Sequence, residues 1–244
     1  MDIRFFSPSF KRAGNTTTNL AYPFVKLVVH QFEAEAYRKA GADIVIIPDE
    51  FQGNIARVRN WILDQNGTAD AIIMMDDDVN YVGRFIDSKR KKLKPAELLQ
   101  FADTAVQMAI DCGAYMFGLN TVEDKGSYRE FTPFSFLSPV LGPFHGIRPN
   151  TLRYDEQFYL KEDYELFIQH VEAYRRVLRF NFMHYVCDHS NKKGGCATYR
   201  NLKREREQFD LLVRKWGTAI VRHDANSDKS FDYNPIVKIP IKGV

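Results

Sequence analysis

Ala69-Asp70-Ala71-Ile72-Ile73-Met74-Met75-Asp76-Asp77-Asp78-Val79 is an apolar run that ends abruptly in three carboxylates. A run of this length without helical period reads as a buried strand. Adjacent carboxylates repel one another, and each needs solvation or a cation. Two readings stay open on the motif alone. The aspartates form an acidic surface turn, or they hold a divalent cation such as Mg²⁺ or Mn²⁺, which oxygen ligands suit and which in turn binds phosphate. Alternation along a strand end predicts Asp76 and Asp78 on one face, with Asp77 turned away.

Working outward, Ile3 to Ser7 reads as a short strand, followed by a polar loop from Pro8 to Asn15. The spacing of Phe24, Leu27, Val28 and Phe32 predicts a helix over 23–40, with Gly41 as its C-cap. Ile44 to Ile47 is a second buried strand, stopped by Pro48. Gly53-Asn54 opens a helix that carries Ile55, Val58 and Ile62 on one face, runs to Gln65 and ends at Asn66-Gly67. Strand, helix, strand, helix, strand at this spacing implies right-handed βαβ units and a mostly parallel sheet flanked by helices. Ligands bind such sheets at the carboxyl ends of the strands. Here those ends are Ser7–Arg12, Pro48–Asn54 and Asp76–Asp78, which favours a nucleotide pocket.

After the aspartates comes a basic stretch, Ser88-Lys89-Arg90-Lys91-Lys92-Leu93-Lys94. It is either a solvated loop or an electrostatic landing strip for a polyanion. Pro95 fits the first turn of a helix with Leu98, Leu99, Ala102, Val106 and Ile110. Residues 114–119 read as a strand, 134–141 as an edge strand or a crossover, and 143–149 as a turn-rich loop with exposed chemistry. Asp163 or a neighbour caps a helix running to Tyr174. Its first-turn acids also have a bland explanation, because they complement the helix dipole. Phe180 to Val186 is a late strand leading into Cys187-Asp188-His189-Ser190-Asn191-Lys192-Lys193-Gly194-Gly195-Cys196. Its glycines let backbone N–H groups approach a phosphate, its lysines neutralise one, and His189 is a possible metal ligand. A zinc set of His184, Cys187, His189 and Cys196 lacks the paired spacing of known sites. A charged helix spans 201–215 with Phe209, Leu212 and Val213 as its apolar stripe. Residues 222–244 form an arm expected to pack on a single domain of residues 1–221.

The chain has 244 residues, 45% hydrophobic and 27% charged, with a net charge of +3. That suits one α/β domain with ample core and does not by itself argue for a nucleic-acid partner. Three cysteines without a framework fit a reducing compartment. No apolar run approaches membrane-spanning length, and the N-terminus opens on a strand rather than a signal peptide. A cytoplasmic protein with no membrane partner is expected.

Taken in order, Ser7-Pro8-Ser9-Phe10-Lys11-Arg12, Asn54-Ile55-Ala56-Arg57-Val58-Arg59-Asn60, Asp76-Asp77-Asp78, Lys161-Glu162-Asp163 and the late His189 resemble the GT-A type glycosyltransferases over most of residues 1 to about 200. Within that group, the opening segment and Lys161-Glu162-Asp163-Tyr164 most resemble the phage-encoded TET-associated glycosyltransferases. Those are similar to enzymes that place sugars on hydroxymethylated pyrimidines in DNA. The resemblance implies a GT-A-like, Rossmann-like sheet and transfer of a hexose from a nucleotide-sugar, with a UDP-sugar as the donor, to a hydroxyl acceptor. It implies a D-x-D motif in which Asp78 and Asp76 hold Mn²⁺ or Mg²⁺, Asp76 also contacts the ribose or sugar, and His189 is the later metal ligand. Ser7, Pro8 and Arg12 would line the nucleotide, Lys192 and Lys193 would hold its diphosphate, and Glu162 and Asp163 would face the acceptor, with Asp163 as general base. Arg57 is either a surface residue of its helix or a contact in the nucleotide pocket. The chemistry is coherent, since a departing diphosphate needs cationic groups in place and an inverting transfer needs a carboxylate to take a proton. Two alternatives remain. One is a metal-dependent nucleotidyltransferase, weakened by the lack of a Gly-rich loop after the first strand. The other is a non-enzymatic basic nucleic-acid-binding protein that uses Lys89–Lys94 and the 201–215 helix.

Overall fold

The computed structural model describes residues 1–87, 89–187, 194–224 and 233–241. Four strands lie parallel along one side of a ten-stranded sheet: β1 (Ile3–Pro8), β2 (Lys26–His30), β3 (Ile44–Ile47) and β4 (Ala71–Met75). An antiparallel hairpin of β5 (Val79–Ile86) and β6 (Lys89–Lys92) forms the opposite side. Between them lie β7 (Met116–Asn120), β9 (Phe144–Ile147) and β10 (Leu178–Cys187), with the two-residue β8 (Phe134–Ser135) against β10. The order is β3-β2-β1-β4-β9-β7-β10-β5-β6. The helices are α1 (Thr18–Ala21), α2 (Ala34–Lys39), α3 (Ile55–Gln65), α4 (Pro95–Asp111), α5 (Glu162–Tyr174) and α6 (Leu202–Trp216). A small two-stranded sheet pairs β11 (Val221–His223) with β12 (Pro235–Val237). Among the described residues, no helix is long and apolar enough to cross a membrane.

β4 is apolar throughout because both its faces are covered. Ile72 and Met74 pack with Ile62, Leu63, Leu166, Phe167 and Leu212 from α3, α5 and α6. Ala71, Ile73 and Met75 pack on the other side with Leu98, Ala102 and Val106 of α4. The strand ends at Met75, and the aspartates follow at its carboxyl end beside the loop after β1, with Asp76 half-buried and Asp77 and Asp78 buried.

Three segments differ from the sequence expectation. The helix expected over 23–40 is instead β2 followed by the short α2. In β2, Leu27 and Val29 pack under Tyr37 while Val28 faces the main core. With both faces covered there is no alternation to see, and the apolar positions fit a helical period equally well. The loop expected at 143–149 is largely the wholly buried β9, inserted antiparallel between β4 and β7. The basic stretch forms β6, a paired edge strand with all four residues exposed. The ends of α5 and α6 also carry small shifts, and the first turn of α5 begins at Glu162, after Lys161.

β9 needs a glycine at its crossing with β7. A Cβ on Gly146 would lie 2.0 Å from the Phe117 ring. Gly146→Ala should therefore destabilise the fold by at least ~1–3 kcal/mol, the usual cost of overpacking a core. Denaturant unfolding of the variant measures it, and an unchanged midpoint would contradict the packing described.

Candidate active site at the carboxyl ends of β1 and β4

The three aspartates lie in a turn between β4 and β5, so strand alternation does not govern them. The main chain of this turn is pinned from α1. The N–H of Thr17 donates to the Asp77 carbonyl at 2.9 Å, and the Val79 N–H donates to the Thr18 hydroxyl at 2.9 Å. Each carboxylate then goes its own way. Asp77 is buried, accepts from the Ser9 hydroxyl and pairs with the Arg12 guanidinium. The same guanidinium lies 3.3 Å from Asp78. Asp76 pairs instead with Arg59 of α3 at 3.0 Å. The expectation that Asp76 and Asp78 share a face gives way to a turn in which Asp77 and Asp78 share one cation and Asp76 uses another.

Arg59 is the hub of the site. It is 3% exposed and bridges Asp76 to Glu162 at the start of α5, 2.7 Å away. Its guanidinium lies over the Tyr154 ring at 5.6 Å. Tyr154 hydroxyl and His145 Nε2 are 2.6 Å apart, and His145 Nδ1 is 3.1 Å from the Gly142 carbonyl oxygen. The Gly142 N–H donates to Asp163 at 3.1 Å, and the Tyr164 N–H orients the other oxygen of Asp163 at 2.8 Å. A Cβ at Gly142 would fall 2.9 Å from an Arg59 guanidinium nitrogen, so a side chain there would have to displace the guanidinium from its place. Loss of one partner from such a buried pair typically costs about 3–5 kcal/mol.

Burial and repulsion set the protonation. Burial, with the neighbouring Asp163 adding to it against the pull of Arg59, raises the Glu162 carboxyl to about 7. Burial raises Asp77 to about 6, with Arg12 pulling it back. His145 is held neutral, lowered to about 3 by burial and by Arg59.

Ser7 and Pro8 lie buried inside β1, and the polar contact from that segment is made by Ser9, which also lies 2.8 Å from the Tyr37 hydroxyl. Arg12 is in the site as expected. Arg57 is not: it pairs with Glu156 at 3.4 Å on the outer side of α3. Arg59 holds the place expected of it. Helical period separates the two: Arg59 follows Ile55 by four residues and precedes Ile62 by three, which puts it on the buried face of α3, and Arg57 falls off that face. His189, Lys192 and Lys193 lie outside the described residues. The chain on either side of them flanks the aspartates. Cys187 pairs in the sheet with Val79, and Gly195 N–H donates to the Phe10 carbonyl at 2.8 Å. Gly194 has φ +101°, and a Cβ there would meet Arg12 Cγ at 2.7 Å. Beside Arg12, Phe10, His30 and exposed Phe32 form an aromatic cluster, with His30 and Phe32 stacked at 5.9 Å. Sequence reading missed that cluster because its members come from separate strand ends. Among the described residues, no group of three His, Cys, Asp or Glu side chains converges as a ready metal site, and His184 is buried under Gly83 rather than joined to Cys187 and Cys196.

The sequence profile of the TET-associated glycosyltransferases matches residues 3–195. The chain belongs to that family. By family it is a glycosyltransferase, and its fold is the GT-A fold. Glucosyl-3-phosphoglycerate synthase from Mycobacterium tuberculosis, solved with Mg²⁺ and UDP, superposes with a TM-score of 0.54 at 11% identity, over 96% of this chain and 87% of that one. S. aureus TarS 1–349, solved with UDP, gives a TM-score of 0.49 at 15% identity over 75% of this chain. The chain spans 60% of that TarS chain. No curated protein matches.

The raised carboxyls make stability fall with pH. Between the unfolded value near 4.5 and the folded value of about 7, the folded chain keeps a proton on Glu162 that the unfolded chain has lost, so folding stability declines as pH rises through that window. Glu162→Gln should flatten the fall in Tm between pH 5 and 7.5. An identical pH profile for the variant and the wild type would show that Glu162 is not held protonated.

Proposed function

We propose that this chain transfers a sugar from a UDP-sugar to a hydroxyl acceptor in a reaction dependent on Mn²⁺ or Mg²⁺, and that the acceptor is a hydroxymethylated pyrimidine in phage DNA. The observation that carries the donor half is the clustering of Asp76, Asp77 and Asp78 with Arg12 and Arg59 at the carboxyl ends of β1 and β4. The acceptor half rests on family membership.

Asp76, Asp77, Asp78, Glu162 and Asp163 meet the two guanidinium groups of Arg12 and Arg59. Burial, with repulsion from the neighbouring carboxylates added to it, pushes Asp77 and Glu162 up, and a divalent cation would offset both. On this reading Asp78 and Asp76 would hold a hard cation, with His189, outside the described residues, as the later ligand that the resemblance implies; Asp77 is committed to Ser9 and Arg12. When bound, the cation would neutralise charge developing on the departing diphosphate. Arg12 adds a fixed positive charge beside the same place, and Lys192 and Lys193 would add theirs. The Phe10, His30 and Phe32 cluster offers aromatic surface for the base.

At the acceptor end, Asp163 is only half-buried, while Glu162 is buried on Arg59. Asp163 is therefore the general base. It takes the acceptor hydroxyl proton as that oxygen bonds to the anomeric carbon and UDP leaves. Two backbone N–H groups hold its carboxylate in one orientation. Glu162 acts through Arg59, fixing the guanidinium that also holds Asp76.

UDP with Mn²⁺ should raise Tm, and UDP alone should raise it less, because only a ligand of the folded state stabilises it. Asp78→Ala should abolish both the Mn²⁺-dependent part of that shift and hydrolysis of the donor. Full donor hydrolysis by Asp78→Ala would sink the donor half.

A further inference from the structure

We propose that the exposed edge strand β6, with Arg84 of β5 beside it, is the docking surface for the phosphate backbone of a nucleic-acid acceptor. This rests on the acceptor reading above and says where on the chain that polymer is gripped.

Lys89, Arg90, Lys91 and Lys92 are consecutive, and all are exposed. An edge strand needs few cations to resist pairing with a stray strand. Four in a row exceed that need and carry a cost. Lys91 stands directly opposite exposed Arg84 in the register of β5 and β6, and like charges in that position repel. Folding alone does not account for the arrangement, whereas a polyanion removes its penalty. Two of the cations have carboxylate partners, Arg90 with Glu123 at 2.9 Å and Lys91 with Glu97 at 2.8 Å. Both pairs are solvent-exposed, where such contacts are weak and exchange readily. Two more cations lie along aromatic rings that hold them extended: Lys92 is 5.4 Å from the centre of Tyr81, and Arg84 is 5.6 Å from that of Phe182.

A nucleic-acid strand fits this row of cations, because each strand of a duplex carries one phosphate per ~3.4 Å of helix axis in an unbroken line of negative charge. Aromatic surface accompanies the charge, since Tyr128 stacks on Phe85 with ring centres 5.5 Å apart, and Phe85 faces Arg90 in the register. Position also fits. β5 starts at the residue after Asp78, and Gly83, which pairs with Lys92, comes five residues after Asp78. That places the near end of the cationic edge roughly 17 Å of extended chain from the aspartates. A polymer held on β6 would thus lie outside the carboxylate-rich site, which repels phosphate, with one unit able to reach in.

The test is binding of a labelled 20-base-pair DNA to the full chain without donor, by fluorescence anisotropy between 50 and 200 mM salt. The wild type is compared with Lys89→Gln/Arg90→Gln/Lys92→Gln. Each lost phosphate contact should lower the salt slope by about one, so the triple variant should lose two to three units of slope and bind at least tenfold more weakly at 50 mM. Its Tm and its donor hydrolysis should match the wild type. An unchanged slope, no DNA binding by the wild type, or binding of anionic vesicles in place of DNA would each overturn the proposal. Failure of the acceptor reading looks different: DNA binding with the expected slope loss, but no sugar transferred to hydroxymethylated DNA by the wild type.

Discussion

Three carboxylates in succession at the end of a buried strand repel one another, and the site is arranged around relieving that repulsion. Two guanidinium groups share the task. Arg12 comes from the loop after β1 and takes Asp77 and Asp78; Arg59 comes from α3 and takes Asp76. Because β1 lies beside β4, and α3 is the helix that leads into β4, both arrive at the same strand end. Arg59 then carries the constraint further. Its second partner is Glu162, so the start of α5, and with it Asp163, is fixed relative to the aspartates. The Gly142 turn and the Tyr154–His145 pair close around that guanidinium.

The two ends of the β5 strand have opposite electrostatic character. Its start adjoins the acidic cluster, where burial and crowding push carboxyls towards their neutral forms. Its far half pairs with a strand of four exposed cations. A negatively charged polymer is attracted to one end and repelled from the other unless a cation or a neutral group intervenes. On the proposed acceptor reading, such a gradient would present a single unit to the site while the backbone stays outside.

Much of this was legible in the chain. The apolar run before Asp76, the Gly53-Asn54 start of α3 and the Phe209, Leu212 and Val213 stripe of α6 are local signals, and each marks an element that forms there. Segments with both faces covered were harder. β2 and β9 carry no alternation because neither has a solvent side, and β2 fits a helical period as well as a strand. In the site, Asp76, Asp77, Asp78, Arg12 and the Glu162–Asp163 pair stand out by residue type and order, and the structure brings them together.

Arg57 and Arg59 mark the limit. Both lie on α3, two residues apart; the helical period puts Arg59 on the face of Ile55 and Ile62, but a charged residue on an apolar face does not announce which carboxylates it meets. The helix turns one outward to Glu156 and buries the other between Asp76 and Glu162. The same limit applies to Phe10, His30 and Phe32, which meet only because parallel pairing aligns the ends of β1 and β2. The sequence by itself determined a parallel α/β core, an acidic strand end and a basic segment, because burial and charge density are properties of neighbouring residues. Which cation neutralises which carboxylate, and that the basic segment is a strand edge rather than a loop, were decided by the tertiary structure, because those partners lie far apart along the chain.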